Sequence, residues 1–147
     1  MRLDCLRVEV ENIRAYLRLQ IYAHDDSFDV EYDIDENLMD VKIPIFIMQP
    51  LVENAIEHGI DTLRMERGKI RISISDEKHY ILIKIWDNGR ELYRKIGVAV
   101  MPPENFGYGV RNVDKRIRLL CGNSCGVTIY ADASGTISEI KLKRENL

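Results

Sequence analysis

The chain has 147 residues, 46% of them hydrophobic and 31% charged, with a net charge of -3. Those values describe one ordinary globular domain, long enough to bury a sizeable core and neither disordered nor built on disulfides. The mild acidity argues against a nucleic-acid-binding surface and leaves room for an anionic ligand only where backbone donors and a cation collect. Cys5, Cys121 and Cys125 are odd in number and match no zinc or redox spacing, so they read as reduced cytosolic thiols. The longest apolar runs fall short of the roughly 20 residues that span a bilayer, and Met1 does not open a signal peptide.

In chain order, Leu3, Leu6, Val10, Ile13, Leu17 and Ile21 recur at three- and four-residue steps, which predicts an amphipathic helix running to about Ala23. It either covers the domain's own sheet or forms a dimer seam. Glu9, Glu11, Arg14 and Arg18 are expected on its wetter side, with Glu11 and Arg14 as a weak surface pair. A turn through residues 24–27 follows. Phe28, Val30, Tyr32 and Ile34 then alternate with acidic residues as in a half-buried strand.

Residues 43–60 read as a helix with Ile45, Met48, Val52 and Ile56 on its apolar face, starting or kinking near Pro50 and stopped by Gly59. Asn54 lies on its polar side with Gln49, Glu53, Glu57 and His58. An Asn amide oxygen suits a hard cation such as Mg2+, although a packed surface helix reads equally well from these residues alone. A polar loop over residues 61–68 leads to two strands. One carries Ile70, Ile72 and Ile74; the other runs from Tyr80 to Trp86 and is more central because both its faces are apolar. Residues 76–79 look like the hairpin loop between them.

Asp87, Asn88 and Gly89 close that central strand. They form a simple turn, or Asp87 accepts a hydrogen bond from an exocyclic amine while Gly89 lets a flat base approach the backbone. Residues 90–106, which include Pro102 and Pro103, show no period and read as a long irregular loop of the kind that lids a site. Gly107 and Gly109 feed a helix with Val110, Val113, Ile117 and Leu120 on its buried face and Gly122 as its cap. A glycine-rich helix N-terminus presents free N–H groups and the positive end of the helix dipole, which suits phosphate. Strand signals at Val127 to Tyr130 and Thr136 to Leu142 end the chain.

Three of these stretches, in this order, resemble the motifs of the sensor histidine kinase ATP-binding domain, specifically the LytS/YesM-like branch. Residues 49–59, Gln-Pro-Leu-Val-Glu-Asn-Ala-Ile-Glu-His-Gly, look like the N box; Asp87-Asn88-Gly89 looks like the G1 box. Residues 106–113, Phe-Gly-Tyr-Gly-Val-Arg-Asn-Val, look like the G2 box, and Gly135-Thr136 looks like the closing glycine-threonine pair. The resemblance covers about Glu9 to the end of the chain. It implies the Bergerat fold, a two-layer α/β sandwich whose mixed, mainly antiparallel sheet is covered by helices on one face. Residues 25–147 would form that domain, and residues 1–24 an N-terminal helix that ends an upstream dimerisation or linker region.

The resemblance also implies ATP and Mg2+ as ligands, with Asn54 as catalytic residue and metal ligand. His58, Asp87, Gly89, Gly107, Gly109, Val110 and Thr136 join it around the nucleotide. The γ-phosphoryl group would pass to a histidine on a separate upstream segment, because His24, His58 and His79 lack the acceptor context. Pro50 stands where hydrolysing relatives such as gyrase carry a water-activating Glu. A response regulator and a second copy of the full-length protein are the implied partners, with no nucleic acid, and the setting is the cytoplasmic part of a membrane-bound sensor. Arg90-Glu91 departs from the family, which usually has a second glycine two residues after Gly89. An anti-sigma-factor-type serine kinase and a degenerate non-catalytic module are the rival readings.

Overall fold

The computed structural model describes residues 2–144. The elements are β1 (Leu3–Cys5), α1 (Leu6–Ala23), β2 (Phe28–Ile34), β3 (Lys42–Pro44), α2 (Gln49–Glu57), β4 (Gly68–Glu77) and β5 (Tyr80–Asp87). After them come α3 (Glu91–Ile96), β6 (Ala99–Val100), α4 (Tyr108–Cys121), β7 (Gly126–Asp132) and β8 (Gly135–Lys143).

Period-two alternation becomes a six-stranded sheet in the order β2-β4-β5-β8-β7-β6. β2 runs parallel to β4, and every other neighbouring pair is antiparallel. A parallel pair cannot be closed by a hairpin, so the chain crosses over between β2 and β4, and that crossover carries α2. On one side of the sheet Ile70, Ile72 and Ile74 of β4, Ile81, Ile83 and Ile85 of β5, and Ile140 and Leu142 of β8 are buried. They share one core with Leu6, Val10, Ile13 and Leu17 of α1, Val52 and Ile56 of α2, and Val113 and Ile117 of α4. The opposite row of each strand is exposed or half-buried. The architecture is the expected two-layer α/β sandwich, and β5, with Leu82 and Trp86 half-buried on its outer side, is central as expected.

Several local expectations need correction. Residues 43–60 are not one helix: the segment first pairs as β3 with β1, and α2 begins only at Gln49, with Pro50 in its first turn, where a missing N–H costs nothing. Ile45 therefore precedes the helix. The N-terminal helix begins at Leu6, because residues 3–5 are taken up by pairing with β3. The β4–β5 hairpin is tighter than residues 76–79, with Glu77 paired to Tyr80 across a two-residue turn in which Lys78 has φ 60°. The stretch 90–106 contains α3, β6 and a turn of 3-10 helix rather than irregular loop. α3 is a fourth helix, too short for its period to show.

Glu9 is the other reversal. Its position in the sequence predicts the wet side of α1, yet it is 7% exposed. Its two carboxylate oxygens accept the N–H groups of Phe46 (3.1 Å) and Met48 (3.0 Å). Met48 is the N-cap of α2, and by holding its N–H the Glu9 carboxylate places a negative charge at the positive end of the α2 dipole. Arg116 of α4 grips the same loop through the Ile45 carbonyl at 2.6 Å. Arg14, expected to pair with Glu11, stacks over the Tyr32 ring at 4.0 Å.

Glu9→Ala leaves two N–H groups without their acceptor, one of them buried, and is expected to lower the unfolding free energy by roughly 3 kcal/mol. Urea titration of the purified protein measures it, and a midpoint within error of the unmutated chain would count against this clamp.

Candidate functional site

The site is built around the end of β5. Asp87 is 2% exposed and sits opposite Thr136 of β8 in the strand register. Its Oδ1 accepts the Gly89 N–H at 2.9 Å. Burial pushes the Asp87 carboxyl up to about 7, and the Gly89 N–H only partly offsets it. Asn88 points the other way, accepting from Lys69 N (2.8 Å) and donating to the Arg67 carbonyl (3.0 Å), which ties the turn to the start of β4.

The end of α2 is pressed against this carboxylate. A Cβ on Gly59 would lie 2.3 Å from Asp87 Oδ1 and 2.3 Å from the Ala55 carbonyl; one on Gly89 would lie 2.5 Å from Gly59 Cα. α2 does stop just before Gly59, as expected, but Gly59 has φ -115°, and close approach to Asp87 is the reason no side chain fits there. Gly135, with φ 148°, brings β8 against the Asp87 carbonyl in the same way.

Beside Asp87 lies a cavity of about 450 Å³, lined by Asn54 of α2 and His58 just after it, by Asp87, by Glu91, Leu92, Lys95 and Ile96 of α3, and by Met101, Pro102, Asn105, Gly107, Ile129 and Thr136. Five of the residues singled out in the sequence therefore share one hollow: Asn54, His58, Asp87, Gly107 and Thr136. Asp87 and Thr136 are buried, Asn54 is half-buried, and His58 and Gly107 are exposed, so polar groups run from a buried point to an open rim. Gly89, Gly109 and Val110 do not line it. Gly89 packs on Gly59, Val110 points into the core at 3% exposure, and Gly109 meets the first turn of α2, where a Cβ would be 3.3 Å from Pro50 Cβ.

Gly107 is the N-cap of α4 in an extended conformation (φ -64°, ψ 166°), and no side chain caps the helix. Arg111 N bonds the Gly107 carbonyl, so the N–H groups of residues 108–110 have no intrahelical acceptor and stand at the positive end of the dipole. At the other end Gly122 has φ 88° and caps the helix as expected.

The α3 wall was missed in the sequence. Leu92 and Ile96, and Glu91 and Lys95, are each four apart and line one face of the cavity, and Lys95 Nζ pairs with Glu91 at 3.2 Å. That spacing was present in residues 91–96, but one turn and a half of helix gives too few repeats to distinguish from loop. Arg90, which precedes α3, donates to the Ala133 carbonyl (3.2 Å) and pairs with Glu66 (2.8 Å), pinning the start of the lid segment where the family usually has glycine nearby.

An open-ended α/β sandwich with a cavity between its helical layer and a lid segment, a buried carboxylate on the central strand and a glycine-led helix N-terminus beside it defines the class of Bergerat-type ATP-binding domains. Residues 39–146 match the family described as histidine kinase-, DNA gyrase B- and HSP90-like ATPase, and the chain belongs to it. Among curated relatives it is 32% identical over 136 residues to the sensor protein LytS of Staphylococcus epidermidis, covering 89% of this chain and 23% of that one. It is 32% identical over 124 residues to the sensor histidine kinase BtsS of Escherichia coli, covering 84% of this chain and 21% of that one. The chain thus spans under a quarter of the length of these relatives. Among solved structures, the nucleotide-free catalytic domain of histidine kinase ThkA superposes with a TM-score of 0.66 at 17% identity, covering 97% of this chain and 96% of that one. Histidine kinase AdeS of Acinetobacter baumannii gives 0.68 at 18% identity, covering 97% and 66%. Among the described residues no helix is long and apolar enough to cross a membrane.

The raised carboxyl of Asp87 sets a pH dependence. Between about pH 4 and pH 7 the folded protein keeps a proton that the unfolded chain has released, so stability without ligand falls as pH rises through that window, by on the order of 4 kcal/mol if this group acts alone. Asp87→Asn removes that dependence. Urea midpoints at several pH values measure it, and parallel curves for the two proteins would refute the assignment.

Proposed function

We propose that this chain is the ATP-binding catalytic domain of a sensor histidine kinase of the LytS-like kind, holding Mg-ATP and donating its γ-phosphoryl group to a histidine on a separate segment. The observation that carries the reading is the meeting of Asp87, Thr136, Asn54 and Gly107 around one cavity from four separate stretches of chain. Once ionised, Asp87 can only accept, so it takes the adenine amino group in preference to guanine, which presents an oxygen at that position. Thr136, its neighbour on β8, faces the same ring. A donor at Asp87 favours the ionised carboxyl, so adenine binding releases a proton where the empty site retains one.

The phosphates belong at the N-terminus of α4, on the free N–H groups of residues 108–110, with Gly107 and Gly109 leaving the approach open and Val110 anchoring the helix in the core. His58 contributes from the rim, and Gly89 acts by letting Gly59 and Asp87 meet. Among the described residues no cluster of three His, Cys, Asp or Glu side chains could hold a metal unaided. Asn54, half-buried on the cavity wall, would offer its Oδ1 to a Mg2+ bound together with the phosphates, since that cation takes oxygen ligands. When bound, the cation neutralises phosphate charge, and the chain's own contribution is positioning and exclusion of water, which is most of what phosphoryl transfer asks of a protein. With Pro50 in the first turn of α2, that position supplies no carboxylate to activate water, which favours transfer over hydrolysis.

The nucleotide-binding domain would occupy residues 25–147, with α1 in residues 1–24 packed into its core as the chain arrives from an upstream dimerisation region, in the cytoplasmic part of a membrane-bound homodimeric sensor. ThkA has been solved in complex with response regulator protein TrrA, and a response regulator is the corresponding downstream partner proposed here. His24 is held by the Gln20 carbonyl (2.7 Å) and Asp61 (2.9 Å), which leaves it poorly placed as an acceptor.

Asn54→Ala is expected to lower affinity for Mg-ATP about tenfold or more and to abolish the effect of Mg2+ on ATP binding. Calorimetry with and without Mg2+ reads both, and an unchanged Mg2+ effect removes Asn54 from the metal site.

Incubated alone with γ-labelled Mg-ATP, the chain is expected to stay unlabelled, because a histidine met by chance gains none of the positioning advantage of a docked acceptor. Adding the histidine-bearing upstream segment should produce acid-labile label on that segment. Acid-stable serine label on an added protein would instead indicate a serine kinase; ATP binding without any transfer would indicate a non-catalytic module.

A further inference from the structure

The wall that α3 adds to the cavity carries charge as well as apolar surface. Glu91 and Lys95 line the hollow together with Leu92 and Ile96, and Lys95 Nζ stands 3.2 Å from the Glu91 carboxylate. Among the residues that line it, Lys95 is the only Lys or Arg, while Asp87 and Glu91 both bring carboxyl groups. The arginine before α3 is engaged elsewhere, on the Ala133 carbonyl and Glu66. Lys95 is therefore the one fixed cation among the side chains lining a site read here as holding a polyanion.

Its present partner holds it weakly. The Lys95 and Glu91 side chains are 68% and 40% exposed, and an ion pair that open to water, four residues apart on one helix, contributes little. No residue of α3 is buried, and the helix ends in Gly97 with φ 70°, where an added Cβ would meet nothing within 4 Å. Arg90 pins the start of α3, so Lys95 sits at the less constrained end, on a flexible stem.

The size of the hollow brings the amine within range of any charge inside it. A cavity of about 450 Å³ is roughly 10 Å across if round, close to one Debye length at about 0.1 M salt. A triphosphate, even beside its cation, carries more negative charge than the single carboxylate of Glu91. A nucleotide filling the hollow also displaces the water that screens such a contact.

We propose that Lys95 gauges the charge of the nucleotide: its amine leaves Glu91 for the phosphates, and Glu91 competes with them for it. The inference rests on the functional reading above and deepens it by naming a side chain that favours a triphosphate over less charged ligands. The two members of the pair then act in opposite senses. Removing the charge of Lys95 takes away an attraction and leaves the Glu91 carboxylate facing the phosphates, whereas removing the charge of Glu91 frees the amine and takes away a repulsion. A pair that served only to hold α3 would give both substitutions the same sign, because either one breaks it.

The test measures the affinity of the purified chain for Mg-ATP and for adenosine by NMR titration, the first at two salt concentrations. Lys95→Met keeps the apolar stem, Glu91→Gln keeps the shape, and both suit a helix. Lys95→Met is expected to weaken Mg-ATP about tenfold and flatten its salt dependence, with adenosine within about twofold of the unmutated chain. Glu91→Gln is expected to tighten Mg-ATP about threefold and leave adenosine unchanged. Weaker Mg-ATP binding in both variants would overturn the proposal, as would a Lys95→Met that weakens Mg-ATP and adenosine equally. A Glu91→Gln that weakens ATP only when Mg2+ is present would overturn it too, by making Glu91 a metal ligand. If the unmutated chain binds neither ATP nor adenosine, the nucleotide reading itself has failed; if it binds both and the two substitutions agree in sign, that reading stands and the charge exchange alone falls.

Discussion

A carboxylate with almost no access to water, at the end of the central strand, is the constraint around which the rest of the domain is arranged. Asp87 is 2% exposed, and its single resolved hydrogen bond comes from the backbone two residues on. Isolated in that way a carboxyl resists ionisation. The glycines at 59, 89 and 135 follow from the same requirement. Each stands where a Cβ would overlap Asp87 or the backbone packed on it, so the end of α2, the turn after β5 and the start of β8 can converge only if all three lack side chains.

The opposite end of α2 is governed by a second buried carboxylate. Glu9 holds the N-cap residue of α2 from a different helix, and Arg116 reaches the same loop from α4, so the helix carrying Asn54 is fixed at its start by charge and at its finish by close packing. This couples α1 and α4 to the placement of Asn54 through the start of α2. The coupling also explains why α1 belongs to the core, with Leu6, Val10, Ile13 and Leu17 at 5% exposure or less, although the family match begins only at residue 39.

The lid segment illustrates a different economy. α3 is held at its start by Arg90, through Ala133 and Glu66, and it lines the cavity with Leu92 and Ile96 on the same face as the Glu91–Lys95 pair. None of its residues is buried, so its stability rests on few contacts.

The sequence by itself determined the parts that local periodicity encodes. The strands at Phe28, Ile70, Tyr80, Val127 and Thr136, the helix ended by Gly122 and the apolar row of α1 follow from alternation or three- and four-residue spacing, which the backbone geometry imposes directly. The motifs at Asn54, at Asp87 and at Gly107 were legible because residue type and order alone carry them. Tertiary structure decided what depends on contacts distant in sequence. Glu9 is 37 and 39 residues from the N–H groups it accepts, Gly59 is crowded by Asp87 rather than needed for a turn, and residues 3–5 and 42–44 are strands only because they find each other. A short pairing, a cross-helix hydrogen bond or a missing Cβ leaves no period in the chain, because its cause lies in a neighbour that only folding brings near.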